Sequence, residues 1–431
     1  MADTVQTTPV ADMIKPPRAV VGPVAWLRDN LFSSIGNSIL TVLGAAFIYF
    51  SLKGLVSFAL INATWTGADG SACRANDGAC WPFVFSKFSQ FMYGTYPEVE
   101  RWRPKLVYLL AIGALVPLMF NGWGDKRPVL TWSAGIIAVL IALKYLTPLV
   151  APNFTGFDAI VDPVFLLLAL GAATVGCFVE ETTGKKPFVI FFFFIFPIVA
   201  FFLLVGGLFG LPHVATEFWG GMMLTLIVAT VGIVAAFPIG VALALGRRSK
   251  MPIVKTVSVG FIEFVRGVPL ITVLFMSSVM LPLFLPPGWN FDKLLRALIM
   301  VALFSAAYLA EVIRGGLQAI PRGQFEAADA LGLNYGQKMS MIVLPQALKL
   351  VIPGIVNSFV GLFKDTSLVL IIGLFDLLGV VQKNMSDQKW FAPPTVMTGY
   401  LFAGFLFWLF CFGMSRYSMS VERRLSAGDR R

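Results

Sequence analysis

Apolar residues fill this chain in blocks about one bilayer long, separated by short polar connections. A membrane-spanning helix needs about 20 mostly apolar residues. A central Arg or Lys costs about 3 kcal/mol, which cancels around six Leu or Phe at ~0.5 kcal/mol each. By that test the pattern predicts ten spans: 38–61, 106–120, 129–150, 163–179 and 188–209 in the first half, then 220–245, 257–285, 294–313, 351–378 and 395–414. The fifth, FVIFFFFIFPIVAFFLLVGGLF, contains no charge. The expected fold is an all-α polytopic membrane protein of about ten transmembrane helices.

The polar connections set the expected orientation. Asp125-Lys126-Arg127, Lys185-Lys186, Arg247-Arg248-Ser249-Lys250 and the long segment 314–349 alternate with base-poor connections. Lys and Arg collect in short cytoplasmic loops, so these connections are expected inside, with both termini cytoplasmic for an even count. The predicted organisation is a cytoplasmic tail over 1–36, an N-terminal transmembrane extension over 37–215, a core over 216–420 and a basic cytoplasmic tail over 421–431. The tail over 1–36 carries prolines, scattered charges and no cleavage-site pattern. A periplasmic loop falls near 62–104, although Arg101, Arg103 and Lys105 sit on that side. Within it, residues 81–94 read either as a membrane-surface helix or as a segment re-entering the membrane.

Composition agrees with the pattern. The chain is 57% hydrophobic and 13% charged, against roughly 25% charged in soluble domains. The net charge of +10 is attributed to topology, because no basic domain stands free of the apolar blocks to bind nucleic acid. Cys177 and Cys411 lie in apolar runs and read as small hydrophobes. Cys73 and Cys80 lie in a polar stretch, where a periplasmic position allows a disulfide; two free thiols are the alternative. His213 is the only histidine, which excludes a His-cluster metal site. No phosphate-loop, H-E-x-x-H or G-x-S-x-G pattern occurs, so the chain is expected to be neither an enzyme nor its own ATPase.

Chemistry-bearing residues concentrate after residue 215. Segment 314–349 is the longest polar stretch of that half. Strong helix formers run over 324–331, Gly332 breaks the run, and Gly336 and Pro345 bracket a second short helix. Phe325, Ala328 and Leu331 fall on one face. The segment reads as a docking platform, or as an amphipathic helix lying on lipid. Lys364 and Asp365 fall inside the ninth span, where ionisable groups are costly and usually functional. With Thr366 and Ser367 they can hold a zwitterion if the helix opens there; an interhelical ion pair is the other reading. Glu263 with Arg266, and Glu311 with Arg314, are spaced to pair on one helix face, and Pro269 is expected to bend the seventh helix.

These residues carry a family resemblance. Glu326-Ala327-Ala328, three residues, Gly332, nine residues, then Ile342-Val343-Leu344-Pro345 resembles the EAA loop of ABC-importer permeases. Glu263 to Leu270 is similar to the E-x-x-R-G-x-P-L segment of the polar-amino-acid subfamily. Glu311 to Gly316 resembles its E-x-x-R-G-G run, and Lys364 to Leu368 its K-D-T-S-L run. The resemblance covers about 216–420 and implies a type I importer core of five helices. The N-terminal half is similar to the longer subunit of broad-specificity L-amino-acid importers.

The same resemblance implies roles for individual residues. Glu326, Ala327, Ala328, Gly332 and Pro345 are the coupling residues for a cytoplasmic ATP-binding subunit dimer, which binds ATP and Mg; this chain holds no cofactor and no metal. Lys364, Asp365, Thr366, Ser367, Glu263, Arg266 and Glu311 are candidates for the translocation pathway. A second, related permease chain and a periplasmic amino-acid-binding protein complete the assembly in the bacterial inner membrane. The expected function is uptake of polar or broad-range L-amino acids by alternating access. The alternative is an ion-coupled secondary amino-acid transporter or channel. That would explain Lys53, Lys144 and Asp365 but leaves the platform without purpose.

Overall fold

The computed structural model describes residues 22–120, 122–150, 156–207, 210–286 and 291–427. The N-terminal tail up to residue 21, the last residues of the fifth predicted span and Arg430–Arg431 of the basic tail lie outside them. The described residues form two compact units, one up to residue 63 and one from residue 64 on. In the first, a short helix α1 (Pro23–Asn30) precedes α2 (Ile35–Val56), which runs on to Ile61 through a wider π turn. Ser34 caps α2 by accepting the Asn37 N–H at 3.1 Å. No residue of α2 is buried, as suits a helix that is apolar all round and faces lipid.

The second unit opens with α3 (Ser71–Arg74) and α4 (Trp81–Tyr93). Then come α5 (Trp102–Met119), α6 (Gly122–Val150), α7 (Gly156–Ile160) and α8 (Pro163–Thr183). A continuous rod follows, made of α9 (Lys186–Ile190), a π turn and α10 (Phe196–Val205). Next are α11 (Gly221–Arg247), α12 (Pro252–Gly267), α13 (Leu270–Phe275), α14 (Leu281–Phe284) and α15 (Lys293–Ala319). The chain ends with α16 (Arg322–Ala330), α17 (Tyr335–Gln337), α18 (Leu344–Asp365), α19 (Leu377–Met385) and α20 (Pro393–Ala427). Among the described residues, nine helices are long and apolar enough to span a bilayer, and one bent pair can form a tenth span.

That bent pair corrects the seventh predicted span. Residues 257–285 do not form one rod: α12 ends at Gly267, and the chain turns by 102° before α13. Val268 and Pro269 are extended. Proline lacks the N–H that would continue the ladder, and its ring drives the preceding residue out of the helical region. The break is therefore complete where a bend was expected.

Other boundaries shift. The eighth helix runs six residues past its predicted end, to Ala319, which shortens the expected platform. The second short helix of the platform is not separate. Tyr335 to Val343 leads through a π turn straight into α18, and Pro345 sits in the first turn of α18 rather than ending anything. The π turn directly before it loosens the α-helical ladder where proline's missing N–H and ring would otherwise break it. The ninth span consequently covers Tyr335–Ile372. The tenth extends to Ala427 and takes in part of the basic tail.

Charged pairs and close approaches define two ends of the bundle. At the α16 end, Arg424 of α20 meets Asp125 of α6 at 2.9 Å, and buried Lys126 pairs with Glu180 of α8. At the opposite end, which carries the disulfide, Lys105 meets Asp162 at 2.5 Å and Arg103 donates to the Pro212 carbonyl at 2.9 Å. Between them, small residues let helices cross closely. A Cβ on Gly176 of α8 would lie 2.3 Å from the Gly113 carbonyl oxygen of α5, a form of packing common between membrane helices.

Residues 81–93 form one helix. Helix α4 packs into the body with Phe83, Val84 and Phe91 buried. Phe91 lies 5.4 Å and Phe88 6.2 Å, centroid to centroid, from Phe402 of α20. Its aromatic residues find the helices of the second half, a long-range contact with no local signal in the sequence.

Candidate functional site

Helix α16 stands at the tip of one end of the bundle. It is seated by Ala328, which is fully buried, and by Phe325, which packs with Met339 and Val343. The Arg248 guanidinium lies 5.6 Å from the Phe325 ring centroid and donates to the Leu317 carbonyl at 2.6 Å. Lys338 pairs with Asp329, and Gln346 donates to Gln324 at 3.1 Å. The opposite face, with Glu326 and Ala327, is exposed. Pro345 is exposed too.

The exit from α16 explains Gly332. Its φ is +69°, its N–H bonds the Asp329 carbonyl, and the Leu333 N–H bonds the Ala328 carbonyl. This paired arrangement closes a helix through a left-handed residue, where glycine meets no Cβ penalty. Leu331 is corrected: it caps the helix rather than continuing its buried face, and is 74% exposed.

Beneath the platform lies a cluster of charges from three helices. Arg247 of α11 donates to Glu311 of α15 at 2.6 Å and to Glu263 of α12 at 2.9 Å. Arg314 donates twice to the other Glu311 oxygen, at 2.8 and 3.0 Å, and Arg266 of α12 lies 3.6 Å from it. The expected Glu263–Arg266 pair is thus replaced: Glu263 turns to Arg247 and Arg266 to Glu311. Spacing of three brings Glu263 and Arg266 within reach of each other, but Glu311, 15% exposed, offers both oxygens to three guanidinium groups. Arg266 also lies 5.6 Å from the Tyr308 ring centroid.

Lys364 and Asp365 end α18. The chain then tightens into a 3-10 turn, Thr366–Ile372, before Gly373 turns left-handed. Adjacent residues on a helix do not face each other, so Lys364 points outward while Asp365 is half-buried. Thr366, fully buried, donates to the Phe363 carbonyl at 2.8 Å, and Ser367 to the Lys364 carbonyl at 2.9 Å. Ser367, half-buried, keeps an oxygen lone pair to accept from a ligand. The four residues lie at a helix irregularity, away from the Glu311 cluster in sequence and on a different helix.

The other end is closed by backbone contacts. Cys73 and Cys80 form a disulfide, both fully buried. The Gly70 N–H bonds the Lys389 carbonyl at 2.8 Å, the Cys80 N–H bonds the Thr398 hydroxyl at 2.8 Å, and Lys87 pairs with Asp387 at 2.6 Å. That hydrogen-bonded pairing with Lys87 holds the Asp387 carboxyl below the usual carboxylate range. The Gly221 N–H bonds the Phe375 carbonyl at 2.9 Å. Gly221 has φ +62°, and a Cβ there would lie 2.2 Å from the Phe91 carbonyl oxygen. Asp376 caps α19 by accepting the Gly379 and Leu378 N–H groups; its burial pushes the carboxyl up to about 6, against the pull of those donors.

Two features carry no clear signal in the sequence pattern. Arg247 and Arg248 counted only as loop bases, yet one organises the charge cluster and the other seats α16. Their place directly after an apolar span, facing acids on two later helices, was the available signal. The anchoring of 64–96 onto 375–398 gave none.

A bundle of bilayer-length helices, with an exposed helix held at one end and ionisable groups along its interior, defines a membrane transport component. The family described as "Binding-protein-dependent transport system inner membrane component" matches residues 236–427. The "Inner membrane amino-acid ABC transporter permease protein YhdY" of Escherichia coli is 44% identical over 94% of each chain. The "Glutamate/glutamine/aspartate/asparagine transport system permease protein BztC" of Rhodobacter capsulatus is 42% identical over 96% of each. A solved structure described as an amino acid ABC transporter with histidines is 29% identical, covers 47% of this chain and 92% of its own, and has a TM-score of 0.42. The chain belongs to the permease family of binding-protein-dependent ABC transport systems.

Proposed function

We propose that this chain is the membrane subunit of an ATP-driven importer of amino acids, moved by a separate ATP-binding chain that docks on α16. The observation carrying the reading is α16 itself: a short helix seated by one buried alanine, with Glu326 and Ala327 turned outward. Small residues let a partner approach closely, and the carboxylate offers a charge to a basic socket. The relatives that match along their whole length are amino-acid permeases by name, which supports the substrate class and gives no support to an ion-coupled transporter.

In this reading the α16 end faces the cytoplasm, with ATP and Mg held by the partner, and the disulfide end faces the periplasm. A binding protein delivers the amino acid there, and a second permease chain completes the pathway. Movement of α16 reaches the bundle through Arg248 and the Glu311 cluster, which joins α11, α12 and α15. Asp365 and Ser367, at the end of α18, supply polar contacts for the passing zwitterion.

The test is purification of the tagged chain from its native membrane in mild detergent. An ATP-binding subunit and a second permease should co-purify, with ATP hydrolysis raised by amino-acid-loaded binding protein. A chain that purifies alone and carries amino acids under an ion gradient would overturn the reading.

A further inference from the structure

The disulfide end contains a cavity of about 310 Å³. It lies where four segments meet: the end of α4, residues 216–220, the start of α15, and 373–383. Its lining is mixed in charge: Lys293, Lys383 and Glu217 share it with Thr95, Gln90 and Trp219. The lysines come from the part of the chain that the family description covers, and the other four come from before it. Among the described residues none of these three charged side chains is in an ion pair, so the charges stand free for a ligand. Lys383 is held 4.9 Å from the Phe375 ring centroid.

A second observation points to a ligand. Trp219 is only 5% exposed, yet its indole N–H has no hydrogen-bond partner among the described residues. A buried donor normally finds an acceptor. Thr95 spends its proton on the Phe218 carbonyl at 3.1 Å and so keeps its oxygen as an acceptor. Small-molecule sites combine such a recess with a few convergent polar groups.

We infer that this cavity is a binding site for a free α-amino acid, with the ligand carboxylate on Lys293, Lys383 and the Trp219 N–H, and its ammonium on Glu217 and the Thr95 oxygen. The inference rests on the transport reading, and adds an entry site distinct from the residues at the end of α18. Because half of its lining comes from the N-terminal part of the chain, a permease reduced to the family-matched segment would lack it.

The full chain in lipid nanodiscs, without ATP, is incubated with an equimolar mixture of the radiolabelled twenty L-amino acids, and separately with their N-acetylated forms. Saturable binding of the free amino acids is expected, with affinity at least tenfold lower in Lys293→Gln/Lys383→Gln and in Glu217→Gln. Trp219→Phe, which keeps an aromatic ring and removes the N–H, should lower it several-fold. The N-acetyl forms, which lack the ammonium, should bind weakly and be indifferent to Glu217→Gln. Absent binding, or binding that none of these variants changes while they elute as the wild type does, overturns the inference. ATP-driven uptake by the assembled wild-type transporter separates the two readings. Uptake without cavity-dependent binding removes the entry site alone, and no amino-acid uptake removes the transport reading.

Discussion

The two ends of the bundle are held by different kinds of contact. At the α16 end, side chains carry the load: Glu311 holds three arginines, Arg248 seats Phe325, and α16 leans on a single buried alanine. At the disulfide end, the ion pairs Lys87–Asp387 and Lys105–Asp162 are joined by close contacts of backbone with backbone. Gly221 approaches Phe91 closely, the Gly70 N–H reaches Lys389, and a disulfide pins the segment that makes the contact. Ion pairs that are partly open to water can re-form in new partnerships at modest cost, whereas backbone contacts at the van der Waals limit cannot slide. The difference points to a bundle fixed at the disulfide end and free to rearrange where α16 sits. Segment 64–96 then holds the fixed end.

The largest effect is expected at the fixed end. Gly221→Val places a Cβ against the Phe91 carbonyl oxygen in a backbone conformation that valine avoids. Size-exclusion chromatography of the detergent extract should show no monodisperse chain. At the other end, Glu326→Lys or Gly332→Asp should bring ATP-driven uptake to background with the amount in the membrane unchanged. Loss of the protein from the membrane would instead assign these residues to folding.

Smaller effects sharpen the contrast. The folded Asp376 carboxyl titrates at about 6 against an ordinary 3.8. Its contribution is therefore fully present below the lower value and is lost as pH rises through the higher one, by up to about 3 kcal/mol. Hydrogen-exchange protection of α19, corrected for intrinsic rates, should fall across that window and become flat in Asp376→Asn. Cys73→Ser/Cys80→Ser opens a short loop and should cost about 2.5 kcal/mol by chain entropy, read as a lower thermal midpoint. Glu311→Gln removes the charge that gathers three arginines and should cost about 2 kcal/mol. Its loosening should appear in exchange of α12 and leave α4 unchanged, whereas equal loosening of both would erase the distinction between the ends.

Much of the fold was legible in the sequence, and the physical reason is one-dimensional. A span is declared by some twenty consecutive residues, so its existence needs no tertiary knowledge. The α16 helix was legible because its formers, its glycine stop and its polar setting are adjacent in the chain. Pairings were not. Glu263 and Arg266 have the right spacing for each other, yet Arg247 and Glu311, on other helices, outcompete that contact once the chain folds. The break at Pro269 was underestimated because Val268 is restricted too. The partners of α4 were not legible because its buried face meets residues some three hundred positions away.

The most direct test of the central claim is a cross-link at the exposed face of α16. An Ala327→Cys variant carrying a short photoactivatable reagent is irradiated in native membranes with and without ATP. A single adduct with the ATP-binding subunit, changing in yield with ATP, is the expected result. Adducts with lipid alone would place α16 on the membrane surface and contradict its role as the seat of the motor.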